Sequence, residues 1–396
     1  MATADPMPDV TAAASPAGGG LLVMLTAMPE DQLDPAMDKL ASAFPGESLV
    51  VATPDGFQGS AQPDFQIVSA PAASPSWALT AADFDHAHQL AQKHDARAIL
   101  VLGQEAGSLS SEALRDLAQA VLGSGIDLAI PRYELPPHAS LVNSAILYPL
   151  TRALFASRAR FPLAIDLGLS PRMAERLGSV AHRFTSISQG DALLWPVNEA
   201  AVSGCAICEV DAGPRTLPRP TDPSINAILP LVAGSLFADI DAKAAFWQRP
   251  RQSPPARGAM PQAAAAEDPA DIAPMLDAFH LAYTNLQEIW SLVLPPNSLL
   301  GLKRLSVVDA AAFRMPDSLW ARVVFDFLIA YRLRTINRGH LLGALIPLYL
   351  GWAASHLNIS ASGTSPERHV EAVAAAFEAE KPYLVSRWRW PDRFNP

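Results

Sequence analysis

Apolar residues in the first half of the chain fall into short continuous runs, and these alternate with stretches of helical period. Residues 21–26 read as a strand, 31–44 as a helix, 48–52 and 65–69 as two further strands, and 81–94 as a helix. Residues 98–102 form an unbroken apolar run of the kind buried on both faces of a sheet. A helix over 111–122 and a strand over 127–131 follow. Strands alternating with helices predict βαβ units in an open sheet, with ligands outside the carboxyl ends of the strands. After the second strand, Thr53-Pro54-Asp55-Gly56 has turn chemistry, because proline presets one backbone angle and glycine frees another.

Past residue 248 the period is lost. Proline, alanine, glutamine and arginine dominate residues 248–271, which read as a linker. Beyond it the spacing is helical throughout. Ile272, Met275, Leu276, Phe279, Leu286, Ile289, Trp290 and Val293 form one stripe that Pro295-Pro296 ends. Pro316-Asp317 opens a second helix that carries Trp320, Val324 and Phe327, and Ser365-Pro366-Glu367 is a capped start for a third. The division expected is an unstructured Ala/Pro/Gly-rich start at 1–19, an α/β domain at 20–247, the linker at 248–271 and a helical domain at 272–396.

Composition narrows the function classes. Half of the 396 residues are hydrophobic and 17% are charged, as a well-packed globular chain requires. A net charge of −10 argues against nucleic acid as a partner, since phosphate contacts need a basic face. The first residues lack the basic and apolar parts of a leader, and the longest apolar stretch, 341–354, is short for a bilayer and holds Pro347. A cytoplasmic protein without a transmembrane segment is expected, with peripheral membrane association and homo-oligomerisation left open. Cys205 and Cys208 have the spacing of a zinc pair, but no second pair exists and the segment 204–210 reads as a strand, so plain buried thiols are expected. Asp83 and Asp85 lie on one helix and diverge, as do His86 and His88. No Gly-x-Gly-x-x-Gly follows the first strand, and no Gly-Lys-Ser/Thr phosphate loop occurs.

Three segments carry a resemblance. They are Ile130-Pro-Arg-Tyr133 with the Asn143-x-x-x-x-Tyr148-Pro-Leu-Thr-Arg152 run, Phe161-Pro-Leu-Ala-Ile165-Asp166-Leu-Gly168, and the helical tail with Lys381-Pro-Tyr-Leu384. In order along residues 98–390 they resemble bacterial GT-A glycosyltransferases of the mannosylglycerate and glucosylglycerate synthase family. The resemblance implies an α/β mixed sheet covered by helices, with an all-helical C-terminal region. It also implies transfer of a sugar from a nucleotide-diphosphate donor to a small or lipid-linked acceptor. Members of that family hold a divalent metal with an Asp-x-Asp motif after the fourth strand and with a later His. Here the motif positions read Gly103-Gln104-Glu105, and Thr216-Leu217-Pro218 stands where the His is expected.

Metal dependence is therefore expected to be weakened or lost, and no metal cofactor is expected. By the same resemblance Asp166 is placed on the donor side and Asp191 on the acceptor side of the reaction, with Asp55, Gln104, Glu105 and Arg132 as donor-binding candidates. Arg152, Arg158 and Arg160 are either phosphate ligands or salt-bridge residues. For Asp191 a helix-start role, for Asp55 a turn role and for Glu105 a solvated loop role are the competing readings. At the level of the whole chain, the competing reading is an inactive relative that kept the fold as a binding or scaffold protein.

Overall fold

The computed structural model describes residues 20–55, 57, 64–71, 76–123, 125–136, 138–249 and 271–391. The segment 1–19 and nearly all of the expected linker lie outside the described residues. The strands are β1 (Leu21–Met24), β2 (Leu49–Pro54), β3 (Phe65–Ala70), β4 (Ala98–Leu102), β5 (Leu128–Glu134), β6 (Asp166–Leu169) and β7 (Ile207–Pro214). Between them run helices α1 (Glu30–Ala43), α2 (Ala81–Lys93), α3 (Ser111–Leu122), α4 (Tyr148–Phe155), α5 (Pro171–Thr185) and α6 (Pro196–Ser203). After the sheet come α7 (Ile225–Ala242), α8 (Ala244–Trp247), α9 (Ala273–Asn285), α10 (Gln287–Val293), α11 (Pro296–Leu305), α12 (Asp317–Leu333), α13 (Arg338–Ala361) and α14 (Pro366–Arg389).

The sheet is mixed, in the order β3-β2-β1-β4-β6-β5-β7. Strands β1 to β4 pair in parallel, β6 runs antiparallel to both β4 and β5, and β7 is parallel to β5. The reversal of β6 places its first residue, Asp166, opposite Leu102 at the carboxyl end of β4. Every residue of β1 and β4 is buried, which is why these strands are continuous apolar runs rather than alternating ones.

Among the described residues two large hydrophobic cores form, with a small third cluster of Tyr148, Val370 and Ala374. One is centred on the sheet and its covering helices α1, α2, α3 and α5. The other is helical and begins well before residue 248: it takes in Ala145 to Phe155, Trp195 and the inner face of α7. Helix α7 is long and apolar enough to cross a membrane by length and composition, and it sets Leu229, Val232, Leu236 and Phe237 in this core. Residues 143–147 wind as a π turn into α4. Pro149 has no N–H for the Ala145 carbonyl, and the Trp320 indole donates to that carbonyl at 2.8 Å instead. Helix α14 lies on α4 through an acidic row. Arg152 bonds Glu371 at 2.6 Å and Glu378 at 2.9 Å, and Arg160 bonds Glu367 at 2.9 Å.

Two local readings are corrected. The stripe from 272 to 293 is two helices, α9 and α10, interrupted at Leu286 where Thr284 and Asn285 weaken the helix. The strand expected over 204–210 begins only at Ile207, because Gly204 takes a left-handed φ of 68° to end α6. The two cysteines are free thiols, Cys205 buried and Cys208 half-buried.

Candidate functional site

The carboxyl ends of β4, β5 and β7 meet the start of β6 around one buried carboxylate. Asp166 is fully buried and accepts from the Gly103 N–H at 3.2 Å and from the Tyr133 hydroxyl at 2.8 Å. Arg215, the residue after β7, donates to it through Nε at 2.9 Å and Nη2 at 3.1 Å, and neither side chain is exposed. The same guanidinium holds the turn after β4. Nη2 donates to the Gln104 carbonyl at 2.7 Å, and Nη1 reaches the Glu105 carbonyl, the Ser108 hydroxyl at 3.0 Å and the Thr216 carbonyl at 2.7 Å. Every N–H of Arg215 thus has an acceptor.

Burial works against the Arg215 charge, but the Asp166 carboxylate more than offsets it, so the guanidinium holds its proton more firmly than usual. Burial, with the Asp166 charge next, pushes the Tyr133 hydroxyl well above its ordinary range. Tyr133 is therefore a fixed donor.

The turn after β4 is shaped by this centre. A side chain at position 103 would place its Cβ 2.8 Å from the Ile165 carbonyl oxygen and 3.0 Å from the Ile165 Cβ, so glycine lets the two strand ends close together. Gln104 contributes its backbone carbonyl. Glu105 has a left-handed φ of 62° and turns its side chain away toward α1. Its Oε1 accepts from Gln32 Nε2 at 2.8 Å, and its N–H donates to Gln32 Oε1 at 2.7 Å.

The remaining candidates are dispersed. Asp191 is exposed and lines a separate cleft of about 950 Å³, together with Arg176, Arg183, Lys243 and Arg338. In that cleft Lys243 bonds Glu199 at 2.6 Å and also Asp239. Asp55 is exposed at the end of β2 and accepts from the Ser69 hydroxyl. Arg132 forms a cross-strand ion pair with Asp211 at 3.0 Å. Arg152 and Arg160 are engaged by α14, and Arg158 lies 3.9 Å from Glu371. The structure thus gathers Asp166 with the backbones of Gln104 and Glu105, while Asp55 bonds Ser69, Arg132 pairs with Asp211 and Asp191 lines the other cleft.

Sequence reasoning missed Arg215 and Tyr133. Arg215 directly precedes the Thr216-Leu217-Pro218 segment where a His was sought, and nothing in its local sequence sets it apart from Arg219 nearby.

The resemblance implies a divalent cation at the end of β4. The oxygens grouped there would suit a hard cation, but the Arg215 guanidinium holds them all, and a second positive charge against it is unfavourable. The Glu105 carboxylate is held by Gln32. The residues present do not fit a metal ion.

The mixed sheet with its single reversed strand, covered by helices and joined to a helical C-terminal region, is the architecture that the resemblance implied. No family model matches the chain, and no curated protein matches it. Solved structures to which it is similar include glucosyl-3-phosphoglycerate synthase from Mycobacterium tuberculosis. In its complex with phosphoglyceric acid the identity is 16%, with 56% of this chain and 80% of that one covered and a TM-score of 0.33. With Mn²⁺ and UDP-glucose the identity is 16%, the coverage 59% and 81%, and the TM-score 0.33. A mycobacterial protein is similar at 14% identity, 56% and 75% coverage and a TM-score of 0.34. Likeness of this size carries no residue's role and no ligand to this chain.

Proposed function

We propose that this chain is a glycosyltransferase-fold protein that has lost metal-assisted sugar transfer and acts by binding rather than by turnover. The observation that supports this reading is the Arg215 guanidinium. It is bonded on every N–H, and it seals Asp166 and the turn after β4 where a donor diphosphate and its cation would have to enter. Transfer chemistry needs free charge at the leaving diphosphate, and this guanidinium has no donor to offer. UDP-glucose is the first donor to test, because solved neighbours contain it. In a thermal-shift and UDP-release assay with a panel of nucleotide-diphosphate sugars, no turnover is expected, and any stabilisation should be the same with Mn²⁺ or with a chelator. Mn²⁺-dependent release of UDP would overturn the proposal.

One observation favours a second reading, metal-independent transfer. Asp191 is exposed in a large cleft that carries Arg183 and Arg338 beside the ion-paired Arg176 and Lys243, which suits an acid that positions an acceptor near bound phosphate. On that reading, turnover survives a chelator and falls sharply in Asp191→Asn, while Asp166→Asn acts through folding.

A further inference from the structure

Beside the Asp166 centre lies a second cavity of about 390 Å³, within the range of small-molecule sites. Tyr133, Phe161 and Ile165 form its sheet side, Ile228 and Val232 of α7 its helical side, and Tyr349 of α13 its floor. Its lining holds no Lys, Arg, Asp or Glu. Few polar groups face it, and some of these are committed elsewhere. The Tyr133 hydroxyl donates to Asp166, and Asn143 Nδ2 donates to the Arg160 carbonyl at 3.0 Å.

Among the described residues, the Trp77, His138, Ser140 and Tyr349 side chains of the lining have no hydrogen-bond partner at their polar ends or, for His138, at Nδ1. His138 Nδ1 is buried and has no hydrogen bond. The Tyr349 hydroxyl has none among the described residues, the residue is 5% exposed, and burial alone pushes its ionisation upward. A hydroxyl at the wall of an apolar cavity that has no protein partner is open to a ligand that supplies one.

We propose that this cavity binds a neutral, mainly aliphatic molecule whose single hydrogen-bonding group meets the Tyr349 hydroxyl. A nucleotide diphosphate is excluded by the lack of any Lys or Arg in the lining, and most of the lining is apolar, which favours hydrocarbon over a polyhydroxylated ligand. The hydrocarbon part lies against Ile228 and Val232, where burial of apolar area drives binding. The cavity's chemistry does not depend on whether the Asp166 centre is silent.

The test is calorimetric titration of the full chain with decanol, decanoate and UDP. Decanol should bind saturably, decanoate at least about tenfold more weakly because its charge finds no counter-ion, and UDP not in this cavity. Val232→Trp and Ile228→Trp, which fill the cavity, should abolish decanol binding while the thermal midpoint and near-UV circular dichroism report an intact fold. Tyr349→Phe should weaken decanol about tenfold by removing one hydrogen bond, and it keeps the test decisive should both filling variants fail to fold. Three results would overturn the proposal: no binding of decanol, binding unchanged by the filled or Tyr349→Phe variants, or tighter binding of decanoate than of decanol.

Discussion

Replacing Arg215 with methionine removes the charge while keeping much of the side-chain volume. It leaves Asp166 with the Gly103 N–H and the Tyr133 hydroxyl as its donors, at a position fully closed to water. Breaking one side of a buried ion pair costs about 3–5 kcal/mol, because the remaining charge is neither solvated nor paired. The carbonyls of Gln104 and Thr216 lose a donor as well, and each buried orphan adds about 1–3 kcal/mol to the extent that water cannot reach it. Arg215→Met should therefore destabilise by at least about 4 kcal/mol, read as a lower urea midpoint by tryptophan fluorescence. The pair variant Arg215→Met with Asp166→Leu should recover much of the loss, since replacing a whole buried pair by apolar groups is often neutral. A single-variant cost below about 1 kcal/mol would refute the reasoning, for it would mean that Asp166 is solvated or protonated without its partner.

Two further outcomes follow from neighbouring geometry. Gly103→Asp, which restores the first acid of an Asp-x-Asp motif, should destabilise by about 1–3 kcal/mol through overpacking against Ile165 and should gain no Mn²⁺ binding by calorimetry. The buried His356 ring shares a 2.7 Å contact between Nδ1 atoms with His369, which in turn bonds Asp317, and it stacks on Trp352. Burial, with His369, His138 and Arg160 nearby, lowers His356 from 6.5 to about 3. Between those values the unfolded chain binds the proton and the folded one does not. Stability is therefore full above pH 6.5 and falls as pH drops toward 3, by up to roughly 5 kcal/mol. His356→Phe should flatten that acid limb in urea midpoints measured across the range. An unchanged limb would show that other groups carry it.

The fold was largely legible because its signals are local. The apolar runs at β1 and β4 and the helical stripes of α2, α3 and α12 announce themselves within a dozen residues. Strand β6 was invisible to the periodic reading. Its four residues, Asp166 to Leu169, begin with an acid and contain Gly168, and only its neighbours in space make it a strand. The site was half legible for a related reason. Asp166 was reached through the resemblance, and its partner Arg215 lies 49 positions away, where a distant pair leaves no spacing to read. Glu105 misled because sequence shows the carboxylate but not the left-handed backbone that turns it toward Gln32.

The acidic row of α14 has a consequence for how the chain is made. Arg152 and Arg160 are synthesised between strands of the sheet, yet the glutamates that neutralise them stand 207 to 226 positions later. Folding proceeds as the chain emerges, amino end first, so these two nearly buried cations await their counter-charges until translation is almost over. A chain truncated before residue 366 would carry the whole sheet and still lack the glutamates that Arg152 and Arg160 bond, with an open apolar seam beside them.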